Sequence, residues 1–141
     1  EIFDLSKDEI WMAEFDAGCV DRVKANTDYL KGIGVVTGDQ GSEMTLKRWV
    51  DETGGNFDIV IDDGAHLNSR LYVSFMHLWP HVKPGGLYFI EDLHVVRNVP
   101  GGLFGDDTKG KFIMADVIKD WIEQLMIPPK KSKNKQIPRR I

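Results

Sequence analysis

Two stretches constrain this chain more than any others: "FDIVID", residues 57–62, and "GLYFIE", residues 86–91. Each is a nearly continuous apolar run, the pattern of a strand covered on both faces. Two further runs, "EIWMAEF" (9–15) and "GIGVVTG" (32–38), also read as strands. Helical patterns fall between them, over about 17–30, 42–53 and 68–80, and Ser42 is placed to cap the second. This alternation of strand and helix predicts a parallel sheet with right-handed crossovers. A fourth helix is expected within 109–126, where Phe112, Ile113, Val117, Trp121 and Leu125 fall on one side before Pro128 and Pro129. Core packing accounts for that stripe.

Every predicted strand ends in acids or their amides: Glu14 and Asp16, Asp39 and Gln40, Asp62 and Asp63, Glu91 and Asp92. Acids often start turns and cap helices, so one such end means little. Four together point to a site on that edge, because open parallel sheets bind ligands at the carboxyl ends of their strands. Carboxylates there need compensation, and a hard, oxygen-seeking cation such as Mg²⁺ suits them. Zinc fits poorly, since one Cys and four scattered His give no usual ligand spacing. Adjacent strand residues face opposite ways, so Asp62 and Asp63 cannot share one ligand unless the strand has turned. Glu91 and Asp92 raise the same question. His66, three residues past Asp63, has the chemistry of a general base for a hydroxyl whose pKa a metal has lowered. His94 is a weaker candidate; His77 and His81 read as helix residues without a role.

The chain of 141 residues is 42% hydrophobic and 28% charged, enough for one core. Its single Cys19 excludes an internal disulfide and suits a reducing, cytoplasmic setting. No apolar run reaches the roughly 20 residues a bilayer requires, so no membrane partner is expected. Six cations lie between Lys130 and Arg140, leaving 12 against 22 acids elsewhere, a net −10 that argues against nucleic acid. Residues 1–128 are expected to form the domain and 129–141 a basic, disordered tail. "NVPGGLFGDDTKG" (98–110) reads either as a lid over the site or as a surface loop.

"FDIVIDDGAH" followed by "LWPHVKPGGLYFIEDLH" resembles the second half of a class I S-adenosylmethionine-dependent methyltransferase. Within that superfamily it is similar to the metal-dependent sugar O-methyltransferases of macrolide biosynthesis and the cephalosporin hydroxylase-like group. "KPGG" is common to the superfamily; "IDDGAH" with "YFIEDLH" is more specific, and "AEFD" and "GDQGS" add to it. The resemblance runs from about residue 9 to 126 and implies a Rossmann-like α/β fold: a parallel sheet with flanking helices. It implies Asp63, Glu91 and Asp92 as Mg²⁺ ligands and His66 as the base. It also implies S-adenosylmethionine bound by Glu14, Asp16, Asp39, Gln40 and Asp62, with Glu14 on the ribose and Asp39 and Gln40 near the adenine. A hydroxylated small molecule would be the methyl acceptor.

The family's first strand and its Gly-rich turn should precede "EIWMAEF", where only "EIFDLSKD" stands. An incomplete fold lacking that central strand, cut at both ends, is therefore expected. Its open edges would favour a homo-oligomer. A non-catalytic remnant serving as a binding or assembly module is the alternative. A metal-dependent hydrolase on a similar sheet is a third reading, which "PGGLYFIED" disfavours.

Overall fold

The structure is a computed structural model that describes residues 4–98, 107–109 and 111–126. The expected tail and most of 98–110 lie outside the described residues. Strands β1 (Trp11–Glu14) and β2 (Gly34–Thr37) pair in parallel, with Trp11 opposite Gly34. Helix α1 (Ala17–Asn26) connects them. It starts where Asp16 accepts the Gly18 amide at 2.8 Å. It stops four residues short of the predicted end, because Thr27 turns extended and returns its own amide to the Val23 carbonyl.

Helix α2 (Glu43–Thr53) follows, and Ser42 caps it as read, its hydroxyl accepting from Thr45. Strand β3 (Phe57–Asp62) keeps the predicted bounds. Beyond it come α3 (Asn68–Leu78) and a 3₁₀ turn, Trp79–His81. Strand β4 (Val82–Ile90) pairs in parallel with β3 and begins four residues earlier than predicted. The pairing passes from Phe57–Val82 to Ile59–Leu87, so "KPGG" bulges out opposite Asp58. Gly85 there has φ 86°, and a Cβ on Gly86 would stand 2.7 Å from the Asp58 carbonyl. Proline and glycine read as strand breakers in isolation; here they sit in a bulge, the place a strand tolerates them. The short α4 (Val95–Asn98) and then α5 (Met114–Met126) complete the described elements.

Helix α3 joins the two strand pairs. Its Leu71 lies in one core with Val96, Met114 and Trp121, against which Phe75 and Ile90 pack. Its Val73 and Leu78 pack on the other core, Val36, Leu46 and Trp49. Phe75 stacks on Trp121 at 4.8 Å between ring centroids and meets Tyr88 edge-on at 5.0 Å. Of the predicted α5 stripe, Trp121 is buried, whereas Leu125 is 78% exposed. The last turn of the helix runs past the surface it packs on.

The expectation that β3 and β4 are covered on both faces is corrected. Tyr88, Ile90 and Asp62 face α3 and α5, but Ile59, Ile61, Leu87 and Phe89 on the opposite face are 45–61% exposed. No described helix packs there. Among the described residues the β1–β2 and β3–β4 pairs share no backbone ladder, and each of the four strands has one strand neighbour. The parallel strands with flanking helices agree with the expected α/β class. No described helix is long and apolar enough to cross a membrane.

Candidate metal centre and active site

The two strand pairs meet at their carboxyl ends. Gln40, just past β2, donates from Nε2 to Asp62 Oδ1 at 2.9 Å, at the end of β3. Arg70 of α3 holds Asp39 with two bonds, Nε to Oδ1 at 2.9 Å and Nη2 to Oδ2 at 3.0 Å. Arg70, and then the Gly41 amide, keep the Asp39 carboxyl below its ordinary range.

The question of the paired acids has a geometric answer. Asp62, still on the strand, turns towards α3 and is buried, and its carboxylate accepts from Ser74, from Tyr88 at 3.0 Å and from Gln40. Burial, and then the Asp62 charge, push the Tyr88 hydroxyl well above its ordinary range, so it stays a donor. Asp63 lies past the strand end and is exposed. On the second strand the Glu91 amide continues the ladder to the Asp62 carbonyl at 3.0 Å. Asp92 then adopts φ 51° and leaves the strand direction.

His66, with φ 49°, comes between the two loops. Its Nε2 lies 3.7 Å from Asp63 Oδ1 and 3.8 Å from Asp92 Oδ2, and its side chain is 15% exposed. Non-glycine residues in the left-handed region are strained, and such strain concentrates at functional sites. Asp63, His66 and Asp92 each offer a ligand atom within 4.8 Å of the others. Two carboxylates and one imidazole at that spacing fit a single divalent cation.

The structure therefore brings together three of the residues singled out in the sequence. Glu91 is exposed beside them and outside that triad. Elsewhere, Glu14 ends β1 and accepts the Asp16 amide at 3.1 Å, while Asp16 caps α1 and lies 3.5 Å from Arg22. His94 Nδ1 is 3.8 Å from Asp92 Oδ1 on the exposed side. His77 lies on α3 and His81 in the 3₁₀ turn, away from the triad residues in the fold. Sequence reading missed Arg70, Ser74 and Tyr88. Ser74 left one signal: a small polar residue at helical spacing from Leu71 and Leu78.

Mycinamicin VI 2''-O-methyltransferase of Micromonospora griseorubida is 49% identical over 70 residues, 50% of this chain and 17% of that protein. Demethylmacrocin O-methyltransferase of Streptomyces fradiae is 40% identical over 93 residues, 66% of this chain and 23% of the relative. The solved MycE methyltransferase of the mycinamycin biosynthetic pathway, in complex with Mg, SAH and mycinamycin VI, superimposes with a TM-score of 0.65. That match has 28% identity and covers 89% of this chain and 31% of MycE. A second form with Mg and SAH gives 0.64 at 34% identity, covering 84% and 30%.

This chain is homologous to macrolide O-methyltransferases.

The resemblance carried by "IDDGAH" and "YFIEDLH" is borne out, and so is the α/β class. No family model matches the chain. The chain spans 17% and 23% of the length of the two curated relatives.

Proposed function

We propose that this chain carries the metal-binding and proton-accepting half of an S-adenosylmethionine-dependent O-methyltransferase of small hydroxylated molecules. The Asp63, His66 and Asp92 triad at the carboxyl ends of β3 and β4 is the observation that carries the reading. The homologous O-methyltransferases and the Mg and SAH of the MycE complexes support it. In this reading Asp63 and Asp92 hold Mg²⁺, and Glu91, next to Asp92, completes the oxygen set. An oxygen-seeking cation leaves the imidazole free for other work. Mg²⁺ when bound lowers the pKa of a hydroxyl, and S-adenosylmethionine supplies an electrophilic methyl group.

His66 Nε2 then accepts the proton of the acceptor hydroxyl. Its low exposure fixes the ring and limits competing water. Glu14, Asp16 and Asp39 flank the methyl donor, and Gln40 and Asp62, bonded to each other at 2.9 Å, support that edge from within the protein. The acceptor is a sugar or another natural product, and the setting is the cytoplasm.

Calorimetry tests this directly. Mg²⁺ should bind the chain, and S-adenosylhomocysteine should bind more tightly in its presence. Asp63→Asn should weaken Mg²⁺ by about tenfold or more, the usual scale for a lost charged ligand or its support. Equal Mg²⁺ affinity in the parent and Asp63→Asn would remove the metal assignment. The uncovered face of β3 and β4 favours a second reading, a methyltransferase-fold module for binding or assembly. Absence of S-adenosylhomocysteine binding with and without Mg²⁺ would select it.

A further inference from the structure

We propose that Gln40 is a positioning residue: its amide ties the 63–66 turn to the end of β3, so that Asp63 and His66 are presented to Asp92. The inference rests on reading this edge as the metal and proton-transfer site.

Gln40 makes bonds at both ends of its side chain. Nε2 donates to Asp62 Oδ1 at 2.9 Å and reaches Ser74 Oγ at 3.4 Å. Oε1 accepts the Ala65 amide at 2.8 Å. One side chain thus spans from the residue before Asp63 to the residue before His66. The anchor is itself fixed. Asp62 is 8% exposed, and its second oxygen accepts from Ser74 and Tyr88. A satisfied polar network in a low-dielectric setting is stiff, because any displacement leaves a buried group without its partner.

Gly64 supplies an independent observation. A Cβ built there would stand 1.8 Å from Gln40 Oε1 and 2.7 Å from its Cδ. Its backbone is not in the left-handed region, so glycine at this position makes room for the Gln40 amide rather than permitting a turn. His66 does adopt left-handed φ, and such a residue keeps that conformation only where its surroundings over-determine it. The Gln40 bond to Ala65, one residue earlier, provides that restraint. Both ends of the Gln40 amide and both Asp62 oxygens are thereby engaged within the protein.

Gln40→Ala and Gly64→Ala break the same link from opposite sides, the first by deletion and the second by eviction. In each, hydrogen exchange at Ala65 should accelerate by about tenfold or more, as for a locally opened segment. The His66 ring resonances should shift, and Mn²⁺ affinity, read by electron paramagnetic resonance, should fall by a similar factor. Exchange within α3 and the β3–β4 ladder should stay as in the parent. The double variant should be no worse than the more affected single one, because both remove one interaction.

Unchanged Ala65 exchange and His66 resonances in both single variants would overturn the proposal. So would additive effects, or a loss of protection spread evenly through β3 and α3. Faster Ala65 exchange with parent-like Mn²⁺ affinity would also overturn it, since the link would then be structural alone. If the parent bound no Mn²⁺, the metal reading would fail, and Ala65 exchange with the His66 resonances would still decide the positioning role. Gln40→Asn, too short to reach both partners, serves if Gln40→Ala does not fold.

Discussion

The Asp39 carboxyl is held below its ordinary value of 3.8 by Arg70 and by the Gly41 amide. Its contribution to stability is therefore complete above that value and is lost as pH falls through the lowered, folded one. Both side chains are about one-third exposed, so the pair contributes roughly 1 kcal/mol or less. Arg70→Met should cost that amount at neutral pH, and the gap to the parent should close at acid pH. Urea denaturation at a series of pH values measures this; a gap that persists undiminished at pH 2 would contradict it. The acid was legible because it stands at a strand end. Its partner, 31 residues away on α3, was not, since nothing local in the sequence distinguishes Arg70 from a solvated arginine.

Helix α3 is the element on which both cores depend, and Asn68 ties its first turn to the rest. Wholly buried, Asn68 donates to the Val96 carbonyl at 3.1 Å and accepts the Met114 amide at 2.7 Å. One side chain thereby fixes α3, α4 and α5 to each other. The N-cap position, Leu67, offers no side-chain bond, and Asp107 accepts the Ser69 amide at 2.9 Å from the far side of the chain. Asn68→Ala should leave two buried partners unsatisfied, at about 1–3 kcal/mol each. Chemical denaturation would show the loss, and Asn68→Asp should not recover it, because its carboxylate would be a buried charge facing the Val96 carbonyl. Equal stability of parent and Asn68→Ala would remove this role. Of the 98–110 segment, read as lid or loop, the described Asp107 bonds Ser69 of α3, and the buried Thr108 hydroxyl donates to the Phe112 carbonyl at 2.8 Å.

At the scale of the whole molecule, the uncovered face of β3 and β4 is the main liability. Ile59, Ile61, Leu87 and Phe89 form one contiguous apolar patch, and each of the four strands carries a free edge among the described residues. Such surface and such edges drive association. The 141-residue chain should sediment with concentration-dependent association, and Ile61→Lys with Phe89→Lys should suppress it. Sedimentation velocity decides; a strictly monomeric parent at high concentration would refute the expectation. By itself the sequence determined the parallel α/β order, the strand-end acids and the homology, because apolar periodicity, caps and short motifs are local properties of a chain. Only the tertiary structure decided which acid of each pair turns inward, that His66 stands between Asp63 and Asp92, and that one sheet face stays bare. Those outcomes depend on bonds and packing between residues tens of positions apart, where the free energy of a side chain is set by partners that the local pattern does not name.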